Sequence, residues 1–200
     1  MKRALRRKIP FSPTEGAKER EERHAVLSRF VNCVRDHFEL GVAIVVDVKA
    51  YREWPERAKK RVGGSDNPHY LAFITGTAVC TKYVGDNDRL SLVCDDDQAT
   101  AENCYKIYQR LRVLRPDIKA KFIALTFADD EQFPALQAAD LFASLFRLEA
   151  LRQWHHEYYE HVALYQELTA PSPTIKWGVQ LYGNDTLHYF DQKWSKIRRP

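Results

Sequence analysis

Carboxylates recur along this chain at places where they could hold a divalent cation. Asp140 lies inside the apolar helical stretch Pro134-Ala-Leu-Gln-Ala-Ala-Asp-Leu-Phe-Ala-Ser-Leu-Phe146. Among Leu136, Ala139, Leu141 and Phe142 a charge is costly to bury unless something compensates it. Asp47 stands near the end of one β-branched run, Asp95, Asp96 and Asp97 close a second, and Asp129 and Asp130 follow a third. Carboxylates that converge repel one another, and a hard cation resolves the repulsion. Mg2+ or Mn2+ favours such oxygen ligands and keeps waters or substrate phosphates in its remaining positions. A pair of these ions would activate a water and stabilise the leaving oxygen of a phosphodiester.

Each acid also has a purely structural reading. Asp97 directly precedes a helix and suits an N-cap, and acids at a helix start complement its dipole. Asp95 and Asp96 share that reading, and Asp129 and Asp130 fit a solvated loop. Asp47 could point out of the sheet end or pair with Lys49 or Arg52. Asp140 could pair with Arg147, two turns further on, or with another arginine. His155, His156 and His161 lack the His-x-x-x-His spacing and intervening Glu of a zinc protease. No nucleophile elbow, P-loop or GxGxxG motif occurs.

These residues need elements to position them. Ser12 or Thr14 is read as the cap of a helix reaching about Phe38, with Gly41 stopping it. Val42-Ala-Ile-Val-Val-Asp-Val48 is continuous and β-branched, as a strand covered on both faces should be. A polar, basic segment from Tyr51 to Val62 ends in Gly63-Gly64. Asp66-Asn67-Pro68 opens a helix through about Tyr83, and Gly85 to Asp88 forms a turn. Arg89 to Cys94 is a second strand, and Gln98 to Leu114 a helix closed by Pro116. Lys119 to Phe127 reads as a third strand. A long helix starts near Pro134 and runs, with or without a break at Trp154, to about Leu168. Ile175 to Tyr182 is a small strand or irregular tail. This alternation predicts an α/β domain with at least three central strands. If they are parallel, their carboxyl ends bring the first three acidic groups to one edge, and Asp140 could lean over it.

The 200 residues fit a single domain, and chains of this size bury roughly two-thirds or more of their unfolded surface. Residues 1–12 form a basic extended N-terminus and 171–200 a C-terminal tail. No apolar run approaches the roughly 20 residues that span a bilayer, so no membrane partner is expected, and a cytoplasmic protein is. Cys33, Cys80, Cys94 and Cys104 form no Cys-x-x-Cys pair and read as reduced core thiols. Net charge is only +4, but Lys2, Arg3, Arg6, Arg7 and Lys8 crowd one end, and Lys193, Lys196, Arg198 and Arg199 the other. Such clusters suit nucleic acid; they equally suit solvated termini.

The segment Phe127-Ala-Asp-Asp-Glu-Gln-Phe-Pro-Ala-Leu-Gln-Ala-Ala-Asp-Leu-Phe-Ala143 resembles the C-terminal motif of the domain-of-unknown-function 3800 family. That family has an acidic or serine-bearing loop followed by a Leu-Gln-x-Ala-Asp-Leu helix. The upstream order is similar: a Val-Val-Asp strand, a His-Tyr helix at His69-Tyr70, and a strand ending at Asp95 and Asp96. The similarity spans roughly Ile9 to Arg152. It implies a ribonuclease H-like fold, a central mixed sheet flanked by helices, and a metal-dependent nuclease-like site. Asp140 would be the carboxylate of the C-terminal helix, Asp95 or Asp96 the central one, and Gln137 would line the site. Asp47 or Asp130 would be a further ligand, and Lys49 and Arg147 would hold phosphates. The family opens on an Asp-Glu-Ser-Gly strand bearing the first ligand, and nothing before the first helix here provides one. Either the chain begins downstream of those strands, so that a second copy or another protein completes the sheet, or it is a degenerate member. In the latter case metal binding would be weak. The alternative to a nuclease is a catalytically inactive ribonuclease H-like module that binds nucleic acid or a protein partner.

Overall fold

A computed structural model describes residues 16–60, 66–129, 131–156, 162–172 and 175–196. Both basic ends thus lie outside the description in whole or for their side chains, as do Gly63, Gly64, Asp130 and His161. The architecture is mixed α/β, mostly helical, with small parallel sheets.

Helix α1 (Ala17–His37) begins where Glu19 accepts the Gly16 N–H at 2.9 Å. It ends as Phe38 turns extended and donates its N–H to the Val34 carbonyl. Gly41 does not stop this helix; it lies within strand β1 (Leu40–Val46). A Cβ on Gly41 would come within 2.0 Å of the Trp177 ring, so the position is glycine for close approach.

Two short helices follow, α2 (Val48–Glu53) and α3 (Glu56–Lys59), in a segment expected only to be polar and basic. Helix α4 (His69–Tyr83), strand β2 (Leu90–Asp95) and helix α5 (Gln98–Leu114) agree with the sequence reading. The third strand does not begin at Lys119. Pro116, with φ preset for a first helical turn, starts helix α6 (Pro116–Lys121), and β3 (Phe122–Ala128) follows it. The long C-terminal helix is α7 (Pro134–His155), ending at His156 in the left-handed region with φ 56°. Helix α8 (Val162–Thr169), strand β4 (Lys176–Tyr182) and helix α9 (Asn184–Lys196) complete the described chain. The segment from residue 171 is therefore no mere tail: Ile175, Tyr182 and Leu187 are buried.

In place of one central mixed sheet, strands of the described residues pair as β1 with β4 and β2 with β3. Lys176 donates its N–H to Glu39 and Asp47 its own to Tyr182, each at 2.9 Å, so β1 and β4 run parallel. The strand that completes the first pair, β4, comes from the Ile175–Tyr182 segment that the sequence left open between a small strand and an irregular tail.

The chain divides into two compact units. Unit 1 comprises residues 1–43 and 128–178. Within it α8 packs on α1 and α7, and Glu167 accepts hydrogen bonds from Ser28 Oγ (2.6 Å) and Asn32 Nδ2 (2.9 Å). An aromatic chain runs Phe38–Phe142–Trp177–Phe146–Tyr165, with successive ring centroids 5.2–6.0 Å apart, a spacing that suits edge-on and tilted contacts.

Unit 2 comprises residues 44–127 and 179–200. One core gathers Tyr51, Trp54, Leu71, Tyr182 and Leu187, and a second gathers Tyr108, Ile118 and Phe122. Trp54 Nε1 donates to the Leu187 carbonyl at 3.0 Å, which satisfies a buried indole N–H. Lys59, its side chain 5% exposed, donates to Glu56, Asp66 and the Arg52 carbonyl. Its bonds to the Glu56 and Asp66 carboxylates hold the ammonium above the ordinary lysine value. Lys121 Nζ reaches the Thr81 and Val84 carbonyls at the end of α4, where a cation complements the helix dipole. Of the cysteines, Cys104 is buried, Cys80 and Cys94 are half-buried, and all four are free. Cys33 is exposed, against expectation, because it falls on the outer face of α1. No described helix is long and apolar enough to cross a membrane.

Candidate functional site

The carboxyl end of β2 in unit 2 gathers the most chemistry. Asp95 is the last strand residue, and its carbonyl accepts the Asp97 N–H at 2.9 Å, turning the chain sharply. Asp97 is the N-cap of α5: Oδ1 accepts the Ala99 N–H at 3.1 Å and Oδ2 the Thr100 hydroxyl at 3.0 Å. The structural reading of Asp97 therefore holds. Asp95 and Asp96 are different. Both are exposed, and among the described residues neither side chain has a hydrogen bond or ion pair. Two hard oxygen donors are left available on a turn whose backbone is fixed from both sides.

Helix α4 supplies the neighbouring groups. Tyr70 is buried in its first turn, and its Oη accepts a hydrogen bond from Asn103 Nδ2 of α5 at 2.9 Å. His69, ring to ring with Tyr70 at 6.0 Å, keeps an exposed edge. Packing around the imidazole lowers its pKa below the ordinary histidine value, while the charge of Asp97 works the other way. Burial, aided by Cys104, pushes the Cys94 thiol up to about 11. Burial likewise raises Cys104, with Asp97 adding to the effect. Both thiols are therefore protonated at neutral pH and are poor nucleophiles.

Asp47 also belongs to unit 2, immediately after β1, as the sequence indicated. Its Oδ1 accepts the backbone N–H groups of Lys49 (2.8 Å) and Ala50 (3.2 Å), so it caps α2. Of the structural readings the sequence left open, pointing out of the sheet end or pairing with Lys49 or Arg52, neither describes it: the carboxylate caps the helix. The Lys49 side chain is exposed beside it.

The remaining predicted residues belong to unit 1. Asp129 accepts the Glu131 N–H at 2.9 Å and Gln132 Nε2 at 3.4 Å, organising the loop before α7. Asp130 lies outside the described residues. Asp140 is half-buried and engaged within the chain, as is Gln137. Its apolar sequence neighbours mislead, because a helix distributes them around its axis. Leu136, Leu141 and Leu145 are buried, whereas Ala139, Ala143 and Arg147 form an exposed stripe. Asp140 stands between the two faces and keeps partial access to water. Arg147 has no hydrogen bond or ion pair among the described residues, so the Asp140–Arg147 bridge is not made.

The buried acid of α7 is instead Glu149, which sequence reasoning passed over. Its side chain is 8% exposed and accepts from Arg152 Nη2 at 2.6 Å and Nε at 2.8 Å. Gln153 Nε2 adds a third bond at 2.7 Å. Arg152 is the main reason the carboxyl lies below the usual glutamate range. The Glu-x-x-Arg spacing within a buried register was the available signal. For Asn103 no such signal existed, since its partner is 33 residues away.

Among the described residues, no three or more His, Cys, Asp or Glu side chains group closely enough to hold a metal ion. Asp95 and Asp96 nonetheless have the right donor chemistry for a hard cation. Mg2+ in particular is commonly held by one or two carboxylates, with waters and substrate phosphates filling its other positions. The scan against protein-family models and the searches of curated proteins and of solved structures found nothing that matches this chain.

Proposed function

We propose that this chain is a ribonuclease H-like, divalent-metal-dependent phosphodiesterase that acts on nucleic acid. The observation that carries the reading is the pair Asp95 and Asp96: adjacent, exposed and, among the described residues, without partners, at the carboxyl end of a parallel strand. Ligand-binding groups of α/β sheets gather at such ends. The Leu-Gln-x-Ala-Asp-Leu resemblance around Asp140 supports the same class.

Asp95 and Asp96 would hold Mg2+ or Mn2+, which when bound would supply an activated water and charge for the leaving oxygen. The chain's own residues do the rest. Asp97 fixes the turn by capping α5. Exposed Lys49 is available to a phosphate of the nucleic acid backbone. Neutral His69 can accept a proton near the turn. Calorimetric titration with Mn2+ tests the ligand assignment: wild type binds, and Asp95→Asn with Asp96→Asn binds at least tenfold more weakly. Equal affinity in the double variant refutes it.

A second reading has its own support. Asp47, the other strand-end acid of unit 2, uses an oxygen to cap α2, which favours a module whose acids serve structure. Such a module binds nucleic acid or a protein partner without cleaving. It would retain nucleic acid in a salt-sensitive manner, with or without Mn2+, and leave it intact.

A further inference from the structure

We draw no further inference here: the strongest candidate, the His69–Tyr70–Asn103 cluster against the Asp95–Asp97 turn at the carboxyl end of β2, belongs to the site already described.

Discussion

Asn103 Nδ2 donates to Tyr70 Oη at 2.9 Å, tying the first turn of α4 to α5 next to the Asp95–Asp97 turn. Tyr70→Phe keeps the buried ring and removes the acceptor. The expected cost is about 1 kcal/mol of stability, the usual net worth of a neutral hydrogen bond. Urea denaturation checks it, and Asn103→Ala on the Tyr70→Phe background should add little, because the bond is already gone.

His69 should titrate below the ordinary histidine value of about 6.5, since packing around the ring disfavours its charged form. Asp97→Asn keeps an N-cap of similar quality but removes the charge that favours imidazolium. The His69 pKa should then fall further, as read from the imidazole C–H resonances. The linkage sign follows: with the folded pKa depressed, the unfolded state binds more protons between the two values. This contribution to stability is complete above about pH 6.5 and declines as the pH falls through the folded value.

Glu149 makes a second acid-sensitive contribution. Arg152 chiefly, and Gln153 after it, hold its carboxyl below the usual range, against the effect of burial. Its stabilisation is therefore full above the unfolded-state value of about 4.3 and is lost as the pH falls through the lower folded one. Glu149→Gln should lower stability at pH 7 and flatten the acid limb of a stability–pH profile.

Gly41→Ala should destabilise by on the order of 1–3 kcal/mol, the cost of overpacking, because the new methyl meets the Trp177 ring. A smaller side chain at 177 should recover part of that loss. Thermal unfolding of Gly41→Ala with and without Trp177→Leu reads the coupling.

Helix α5 was legible because its cap, Asp97, and its stop, Pro116, both stand in the sequence. Strand β1 was legible from its β-branched run. The hidden features depend on partners far along the chain. Gly41 looks like a helix stop until Trp177, brought against it in unit 1, explains it. Strand β4, Lys176-Trp-Gly-Val-Gln-Leu-Tyr182, is as long as β1 but lacks its continuous β-branched run, and it is defined by pairing with β1. Lys119 to Lys121 reads as the start of the third strand, but Pro116 opens a helix that carries these residues with it. At the site the acids were visible, and so was the cap at Asp97, but the cap at Asp47 was not. Among the described residues Asp95 and Asp96 remain available, and only hydrogen-bond geometry separates them from Asp47 and Asp97.

The most direct test is cleavage of single- and double-stranded DNA and RNA by the purified chain in Mg2+ or Mn2+. Circular dichroism of every variant verifies folding. Wild type should cleave at least one of these substrates only when the metal is present, and Asp95→Asn with Asp96→Asn should reduce the rate at least a hundredfold while staying folded. Asp140→Asn, assayed beside it, tells whether the α7 carboxylate belongs to the same chemistry. Failure of wild type to cleave any of the four substrates with either metal, or full activity in the folded double variant, would contradict the assignment of Asp95 and Asp96.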